Sequence, residues 1–275
     1  MANTLPERTP ALPSRGDNRG MDRAEISRLA HARHPIAAPV SADRAKALLR
    51  RLAPPGGSRV ADLGCGQGEW LLTLLEVASG VRGTGVDSAP GALASAARSA
   101  ARRGLSGRVA WHQADAATWA DGEFAAVLSV GASHAFGGLD GALEAIRGHL
   151  APGGRVLFGD AIWEAPPTAA AQAALGAGAS EFPDLAGLVE RVEKAGFEPI
   201  GGHVSTREEW DDYEWSWTGT LAEWALRRPS GDEDRTEALA AARTHRDEWL
   251  RGYRNQLGFV TLVLQDVRVP QDVTA

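Results

Sequence analysis

The spacing of hydrophobic positions along the chain changes near residue 58. Residues 21–57 carry apolar positions at helical spacing, interrupted by the prolines of "HPIAAPVS" at 34–41, and this predicts two helices. From there to Asp160, short apolar runs alternate with Ala- and Leu-rich helical segments. Such alternation predicts a parallel sheet with helices on both faces, doubly wound because crossover connections are right-handed.

Seven runs are predicted to form strands, which indicates an α/β, Rossmann-like, seven-stranded sheet. Five lie in the alternating region: "RVADLG", "RGTGVD", "RVAWHQ", "FAAVLSVG" and "GRVLFGD". The sixth, "FEPIGGHVS", follows a helix predicted over 183–195, and the seventh is "LGFVTLVLQ" at 257–265.

Between the last two predicted strands, the chain holds five of its nine tryptophans and both tyrosines. Two long helices broken near "RRPSGDED" are predicted here, forming a helical insertion at about 206–256. The helical spacing of five residues favours packing against a core, and an aromatic roof over a small-molecule pocket is the alternative. These residues are Trp210, Tyr213, Trp217, Leu221 and Trp224.

The length of 275 residues allows one large α/β domain with an elaborated edge, which we favour, or a domain with a small cap. Residues 1–20 are polar and rich in Pro, Arg and Gly, and they predict a disordered tail without a signal sequence. Residues 21–55 form a predicted helical annex, and 56–275 form the main domain.

The net charge and the cysteine content limit the binding partners and the cellular location that we expect. A net charge of -6 with dispersed arginines argues against a nucleic-acid partner, and no apolar run is long enough to predict a membrane span. Cys65 is the only cysteine, which excludes an intramolecular disulfide and favours a cytoplasmic protein. No metal-ligand pattern is evident, and we expect a monomer or homodimer.

The sequence "VADLGCGQGEW" at 60–70 places glycines at 64, 66 and 68, directly after a predicted strand. A bare backbone at a strand-to-helix turn admits a ligand closely. The dinucleotide fingerprint needs its third glycine where Glu69 stands, and a P-loop needs a lysine that is missing here. The spacing therefore favours a ligand without a cradled phosphate, whose ammonium group meets Asp62.

Acidic residues also end the second and third predicted strands, and neighbouring parallel strands bring their carboxyl ends to one crevice. Asp87 suits the vicinal hydroxyls of a ribose, since a carboxylate accepts two hydrogen bonds. Asp115 and the backbone amide of Ala116 suit an exocyclic amine and a ring nitrogen. Each acid alone is also consistent with a helix N-cap.

These motifs resemble those of the class I S-adenosylmethionine-dependent methyltransferases. The resemblance covers about residues 56–163 through "VADLGCGQGEW", "GTGVDSAPGALASA", "ADAATW", "FAAVLSVGASHAFGG" and "HLAPGGRVLFGDAIWE", and extends loosely to "LGFVTLVL". It implies an antiparallel last strand, S-adenosyl-L-methionine as cofactor and S-adenosyl-L-homocysteine as product. The broader pattern is similar to actinobacterial enzymes with unassigned small-molecule acceptors, some in secondary metabolism.

The resemblance implies which positions contact the cofactor. Those of Asp62, Gly64, Gly66 and Gly68 surround its methionine portion, that of Asp87 binds its ribose, and those of Asp115 and Ala116 bind its adenine. Further contacts are expected at Cys65, Ser88, Ser129, Val130 and Gly131.

His134 lies in a glycine-flanked segment after the fourth predicted strand, and it is the candidate general base. A loop histidine that only donates hydrogen bonds is the alternative. His112 and His149 are expected to be structural, and the annex with His31 and His34 is expected to act as a lid.

The acceptor is expected to contact aromatic and polar residues outside the cofactor motifs. The candidates are His34, Trp163, Glu164, Tyr213, Trp215, Trp217 and Tyr253. Two alternatives to this function stay open: an NAD-type oxidoreductase on a similar fold and a non-catalytic cofactor-binding protein.

Overall fold

The computed structural model describes residues 21–268, so the disordered tail predicted at 1–20 lies outside the described residues. Seven strands form one sheet: β1 Arg59–Leu63, β2 Arg82–Asp87, β3 Val109–Gln113, β4 Phe124–Val130, β5 Leu150–Trp163, β6 Phe197–Val204 and β7 Leu257–Asp266. Their order is β3-β2-β1-β4-β5-β7-β6, and β7 runs antiparallel to both of its neighbours. This arrangement confirms the predicted fold.

Nine α-helices are assigned within residues 21–268: α1 Arg23–Ala30, α2 Ala42–Leu52, α3 Glu69–Val77, α4 Pro90–Arg102, α5 Leu139–His149, α6 Ala169–Leu175, α7 Leu185–Lys194, α8 Arg207–Leu226 and α9 Glu233–Glu248. A π-helical turn, Trp249–Tyr253, follows α9. The sequence did not predict α6. None of these helices is long and apolar enough to cross a membrane.

Two apolar layers enclose the sheet. One joins the strands to α2, α3 and α4, and the other joins them to α5 and α7. Residues on β1 alternate between the layers, with Val60 in the first and Ala61 in the second, as the two-residue period of a strand requires. Because β1 pairs parallel with both β2 and β4, the carboxyl ends of these three strands lie at one edge of the sheet.

The insertion begins with a capping box. The Thr206 hydroxyl accepts the backbone N–H of Glu209, and the Glu209 carboxylate accepts that of Thr206, which satisfies two amides at the start of α8. Small residues then allow α1, α8 and α9 to pack closely around Leu221. Helix α1 of the annex thus packs against the insertion, although the two segments are far apart in the sequence.

Strand β5 is longer than its sequence predicts. The predicted strand ends at Asp160, but pairing continues through Trp163, which lies opposite Leu257 of β7. The antiparallel neighbour supplies this extension, because its first residues lie beside the carboxyl end of β5. Trp163 is therefore a strand residue, and Glu164 is the first residue after the strand.

Candidate functional site

Three glycines connect β1 to α3 in a backbone conformation that side chains rarely adopt. The φ angles of Gly64, Gly66 and Gly68 are +76°, +51° and +74°. The amides of Gly64 and Cys65 both donate to the Val86 carbonyl, at 2.9 and 3.0 Å. These bonds fix the loop against the end of β2.

The three glycines differ in what surrounds them. A Cβ atom on Gly64 would lie 2.5 Å from the Cβ of Ala132, and one on Gly68 would lie 2.4 Å from the ring of Trp111. A Cβ on Gly66 would meet nothing within 4 Å. The fold itself therefore requires glycine at 64 and 68, whereas Gly66 faces open space that a ligand can enter.

Asp62 is a buried acid at the end of β1. Its side chain is 3% exposed, and its Oδ2 atom has no hydrogen-bond partner among residues 21–268. Burial, helped by the negative charge of Asp87, raises the pKa of Asp62 to about 8. A cationic group placed beside Asp62 would supply the missing partner and favour the ionised form.

Asp87 holds the glycine loop and faces the same crevice. Its Oδ2 accepts the Gly66 amide at 2.7 Å, and its Oδ1 accepts the Ala89 amide at 2.8 Å. Each carboxylate oxygen can accept a second hydrogen bond, so both remain able to receive hydroxyl donors. Ser88, beside it, is exposed.

The end of β3 presents Asp115 and Ala116. Asp115 is exposed, and its Oδ1 accepts the Ala117 amide at 2.9 Å. This contact is a local cap of a turn, not of a helix, and it leaves the other carboxylate oxygen able to accept hydrogen bonds. Ala116 is buried beneath it.

The end of β4 holds a second group of predicted cofactor contacts. Ser129 is fully buried and its hydroxyl has no partner within the described residues, while the Gly131 amide donates to the Gly159 carbonyl at 2.8 Å. Val130 is half-buried. The positive φ of Gly131, +71°, turns the chain away from the sheet toward the short helix that contains His134.

His134 is exposed on the 3-10 helix Ser133–Phe136. Asp160, a buried acid that the sequence reasoning did not single out, lies beside Ser133 and His134. Burial raises the pKa of Asp160, and the neighbouring Ser133 and the Ala161 amide oppose that rise. The structure thus places a polar group beside His134.

Two further histidines contact Trp119. The buried ring of His149 lies 5.1 Å from the ring of Trp119, and the exposed ring of His112 lies 5.9 Å from the same ring. Both contacts are packing contacts at the edge of the apolar layer.

The annex and the insertion meet through His31 and Tyr213. His31 Nδ1 lies 2.8 Å from the Ser27 carbonyl, so Nδ1 carries the proton and Nε2 accepts the Tyr213 hydroxyl at 2.9 Å. The ring of His34 meets Tyr213 edge-on at 5.3 Å. Burial lowers the pKa of both histidines. The structure thus brings His34 and Tyr213, two predicted acceptor contacts, together.

Glu214 is a buried acid that sequence reasoning missed. Its side chain is 2% exposed; Tyr253 donates to one oxygen at 2.8 Å, and His245 Nε2 contacts the other at 2.7 Å. The ring of Trp217 stacks on His245 at 4.0 Å. An acid within an aromatic helical face was the available signal, since Glu214 lies four residues after Trp210 and three before Trp217.

Other predicted acceptor contacts lie elsewhere. Trp215 is 51% exposed and meets Trp249 edge-on at 5.1 Å, so its outward position does not support the expectation that it contacts the acceptor. Trp163 is buried, and its Nε1 donates to the Ala179 carbonyl at 3.1 Å, which gives it a packing role. Glu164 is exposed.

The chain is similar to a known domain family and to a bacterial protein. The family model described as "Methyltransferase domain" matches residues 60–154. The Escherichia coli (strain K12) protein YjhP is 34% identical over 215 residues, which are 77% of this chain and 86% of YjhP.

Two solved structures with bound S-adenosyl-L-homocysteine are similar, both described as SAM-dependent methyltransferases. The one from Geobacter sulfurreducens has a TM-score of 0.79 at 28% identity, covering 88% of this chain and 97% of its own. The one from Thiobacillus denitrificans has a TM-score of 0.79 at 29% identity, covering 90% and 100%.

Proposed function

Because the chain belongs to the class I S-adenosylmethionine-dependent methyltransferases, we propose that it methylates a small molecule held at the carboxyl edge of its sheet. The observation that supports a small acceptor is the cover over this edge. The annex and the insertion are joined there by the Tyr213–His31 bond and by the Ser41 amide, which donates to Glu209 at 3.0 Å. A net charge of -6 also disfavours a nucleic-acid acceptor.

The residues present fit S-adenosylmethionine. Asp62 has an unpartnered oxygen for the ammonium group, Asp87 retains lone pairs for the ribose hydroxyls, and Gly66 leaves open space. When bound, the cofactor supplies an activated methyl group on a sulfonium. The protein's own tasks are to bind, orient and exclude water, and orientation alone can contribute about 7–11 kcal/mol.

An NAD-type oxidoreductase is the competing function on a related fold. Glu69 occupies the place of the third fingerprint glycine, and its carboxylate is held by Arg103 at 2.5 Å. This partly buried ion pair lies at the start of α3, and the Glu69 side chain leaves no bare backbone there for a pyrophosphate. The arrangement favours the sulfonium cofactor.

Calorimetry with S-adenosylhomocysteine and with NAD tests the proposal. We expect S-adenosylhomocysteine to bind and NAD not to bind; the reverse result would overturn the proposal. At pH 7 binding should also release a proton, because Asp62 has a pKa of about 8 in the free protein and the ligand ammonium favours its ionised form. Titrations in buffers of different ionisation enthalpy measure that proton.

Asp62→Asn is the control for this proton. The variant should bind more weakly and release no proton, whereas unchanged proton release would rule out Asp62 as its source. Since the folded pKa lies above the unfolded value, the wild-type unfolding free energy should fall as pH rises from about 4 toward 8. The variant should lack this slope.

We also propose that His134 accepts a proton from the acceptor. Its position beyond the end of β4 and its polar neighbours Ser133 and Asp160 support this role. His134→Ala should lower kcat by about a hundredfold, the lower range of general-base effects. Label transfer from S-adenosylmethionine measures this change, and turnover within threefold of wild type would remove His134 from the reaction.

A further inference from the structure

A polar cluster lies beneath α8, where the annex meets the insertion. We define the polar cluster as His31, His34, Tyr213, Glu214, His245 and Tyr253, bordered by the rings of Trp210 and Trp217. Its members come from three separate segments of the chain: the annex, α8, and α9 with the π-helical turn that follows it. Burial of so many titratable side chains is costly unless they are paired, so their partners indicate what the cluster binds.

The polar cluster holds one carboxylate, that of Glu214. Burial lowers the pKa of His31 and His34 and raises that of Tyr213 and Tyr253, so these four side chains are uncharged near neutral pH. The remaining histidine, His245, contacts a single oxygen of Glu214 through its Nε2 atom. Each carboxylate oxygen accepts two hydrogen bonds, so Glu214 can receive two more donors.

Buried polar atoms beside the polar cluster lack partners within residues 21–268. Trp210 Nε1 and His34 Nδ1 are both inaccessible and unbonded. The ring of Trp210 lies 6.2 Å from that of Tyr213 and 6.4 Å from that of Tyr253. Leaving a buried donor or acceptor unsatisfied typically costs about 1–3 kcal/mol, so a ligand that bonds to these atoms at the border of the packed rings would recover that cost.

The polar cluster adjoins the cofactor site. Trp210 packs on the apolar layer that contains Phe259 at the carboxyl edge of the sheet, and also on the group that contains Tyr253. On the opposite side, His31 lines a cavity of 330 Å³ together with Gln67 of the glycine loop. A molecule held by the cluster would therefore lie next to the glycine loop.

We propose that the polar cluster is the acceptor site and that it selects an acceptor bearing an amino group. The Glu214 carboxylate pairs with the amino group as a cation, and the faces of the surrounding aromatic rings favour the same charge. The inference rests on the proposed function, because an acceptor site has meaning only in a methyltransferase. It adds the chemical class of the acceptor.

Benzylamine and benzyl alcohol provide a direct binding test, since they differ mainly in the charged group. With the protein saturated with S-adenosylhomocysteine, we expect benzylamine to bind at least about tenfold more tightly, as a 1.4 kcal/mol preference for the cation requires. Tryptophan fluorescence and calorimetry measure the two affinities. Equal affinities, preference for the alcohol, or no binding of benzylamine would overturn the inference.

Variants identify the source of the preference. Glu214→Gln keeps the shape of the side chain and should abolish it. Trp215→Ala, which alters an exposed ring on the same helix, should retain the preference. A preference that survives in Glu214→Gln would contradict the assignment, and if this variant does not fold, the wild-type comparison decides.

A second measurement uses methyl transfer without knowing the acceptor. A small-molecule cell extract is incubated with the enzyme and radiolabelled S-adenosylmethionine, with and without prior acetylation of its amines by acetic anhydride. Acetylation should reduce labelling at least tenfold. Labelling that is insensitive to acetylation would overturn the amine inference alone, whereas failure to bind S-adenosylhomocysteine would overturn the proposed function.

Discussion

Asp87→Ala is expected to weaken S-adenosylhomocysteine binding by about a hundredfold. The substitution removes the acceptor for two ribose hydroxyls; hydrogen bonds to charged groups contribute about 1.5–3 kcal/mol each, and a loss of about 3 kcal/mol corresponds to that factor. It also leaves the Gly66 amide, now bound at 2.7 Å, without its partner. Calorimetry measures the affinity.

Asp121→Ala is the matched control for Asp87→Ala. Asp121 is an exposed carboxylate that pairs with Arg59 at 3.1 Å, away from the glycine loop. Its removal should leave binding unchanged, because exposed ion pairs contribute little. A loss of less than threefold in Asp87→Ala would show that Asp87 does not hold the ribose.

Gly64→Ala is expected to lower mainly the stability of the protein, whereas Gly66→Ala is expected to lower mainly its affinity for the ligand. Gly64→Ala combines a left-handed backbone, at about 1–2 kcal/mol, with overpacking against Ala132, at about 1–3 kcal/mol, and should lower the unfolding free energy by about 3 kcal/mol. Gly66→Ala carries only the backbone cost, since its Cβ meets nothing. Its methyl group enters the ligand's space instead, so S-adenosylhomocysteine binding should fall more than tenfold.

Chemical denaturation and calorimetry separate the two effects. Gly57→Ala is the control, because Gly57 has a φ of +89° and an equally empty surrounding but lies before β1, outside the loop. It should match Gly66→Ala in stability and the wild type in binding. Normal ligand affinity in Gly66→Ala would mean that the ligand does not approach this backbone.

Most of the fold was predictable because its signals are local. Alternating apolar runs and helical segments indicated all seven strands, and the prolines near His34 indicated the break in the annex. The continuation of β5 to Trp163 was not predictable locally, since pairing with Leu257 stabilises it. Helix α6 was missed because its alanines carry little periodic contrast; its start is set by the Thr168 hydroxyl, which accepts the Ala171 amide.

Some candidate-site residues were predictable from short motifs, whereas others are brought together only by the tertiary structure. Asp62, Asp87 and the glycines belong to short motifs at strand ends, so their spacing alone predicts a common crevice. Glu214 has partners 31 and 39 residues away, His245 and Tyr253, and no short motif links them. Their meeting depends on the packing of α9 against α8, which brings Tyr253 of the following π-helical turn to Glu214.

The sequence by itself determined the sheet, the glycine loop and the acids at the strand ends, because each depends on periodicity or on neighbours within one strand and turn. Only the tertiary structure decided which side of α8 faces inward. It turned Trp215 to solvent and buried Glu214 beside the annex. The physical reason is that one helix can bury several faces, and the choice depends on the surfaces that distant segments, here α1 and α9, bring against it.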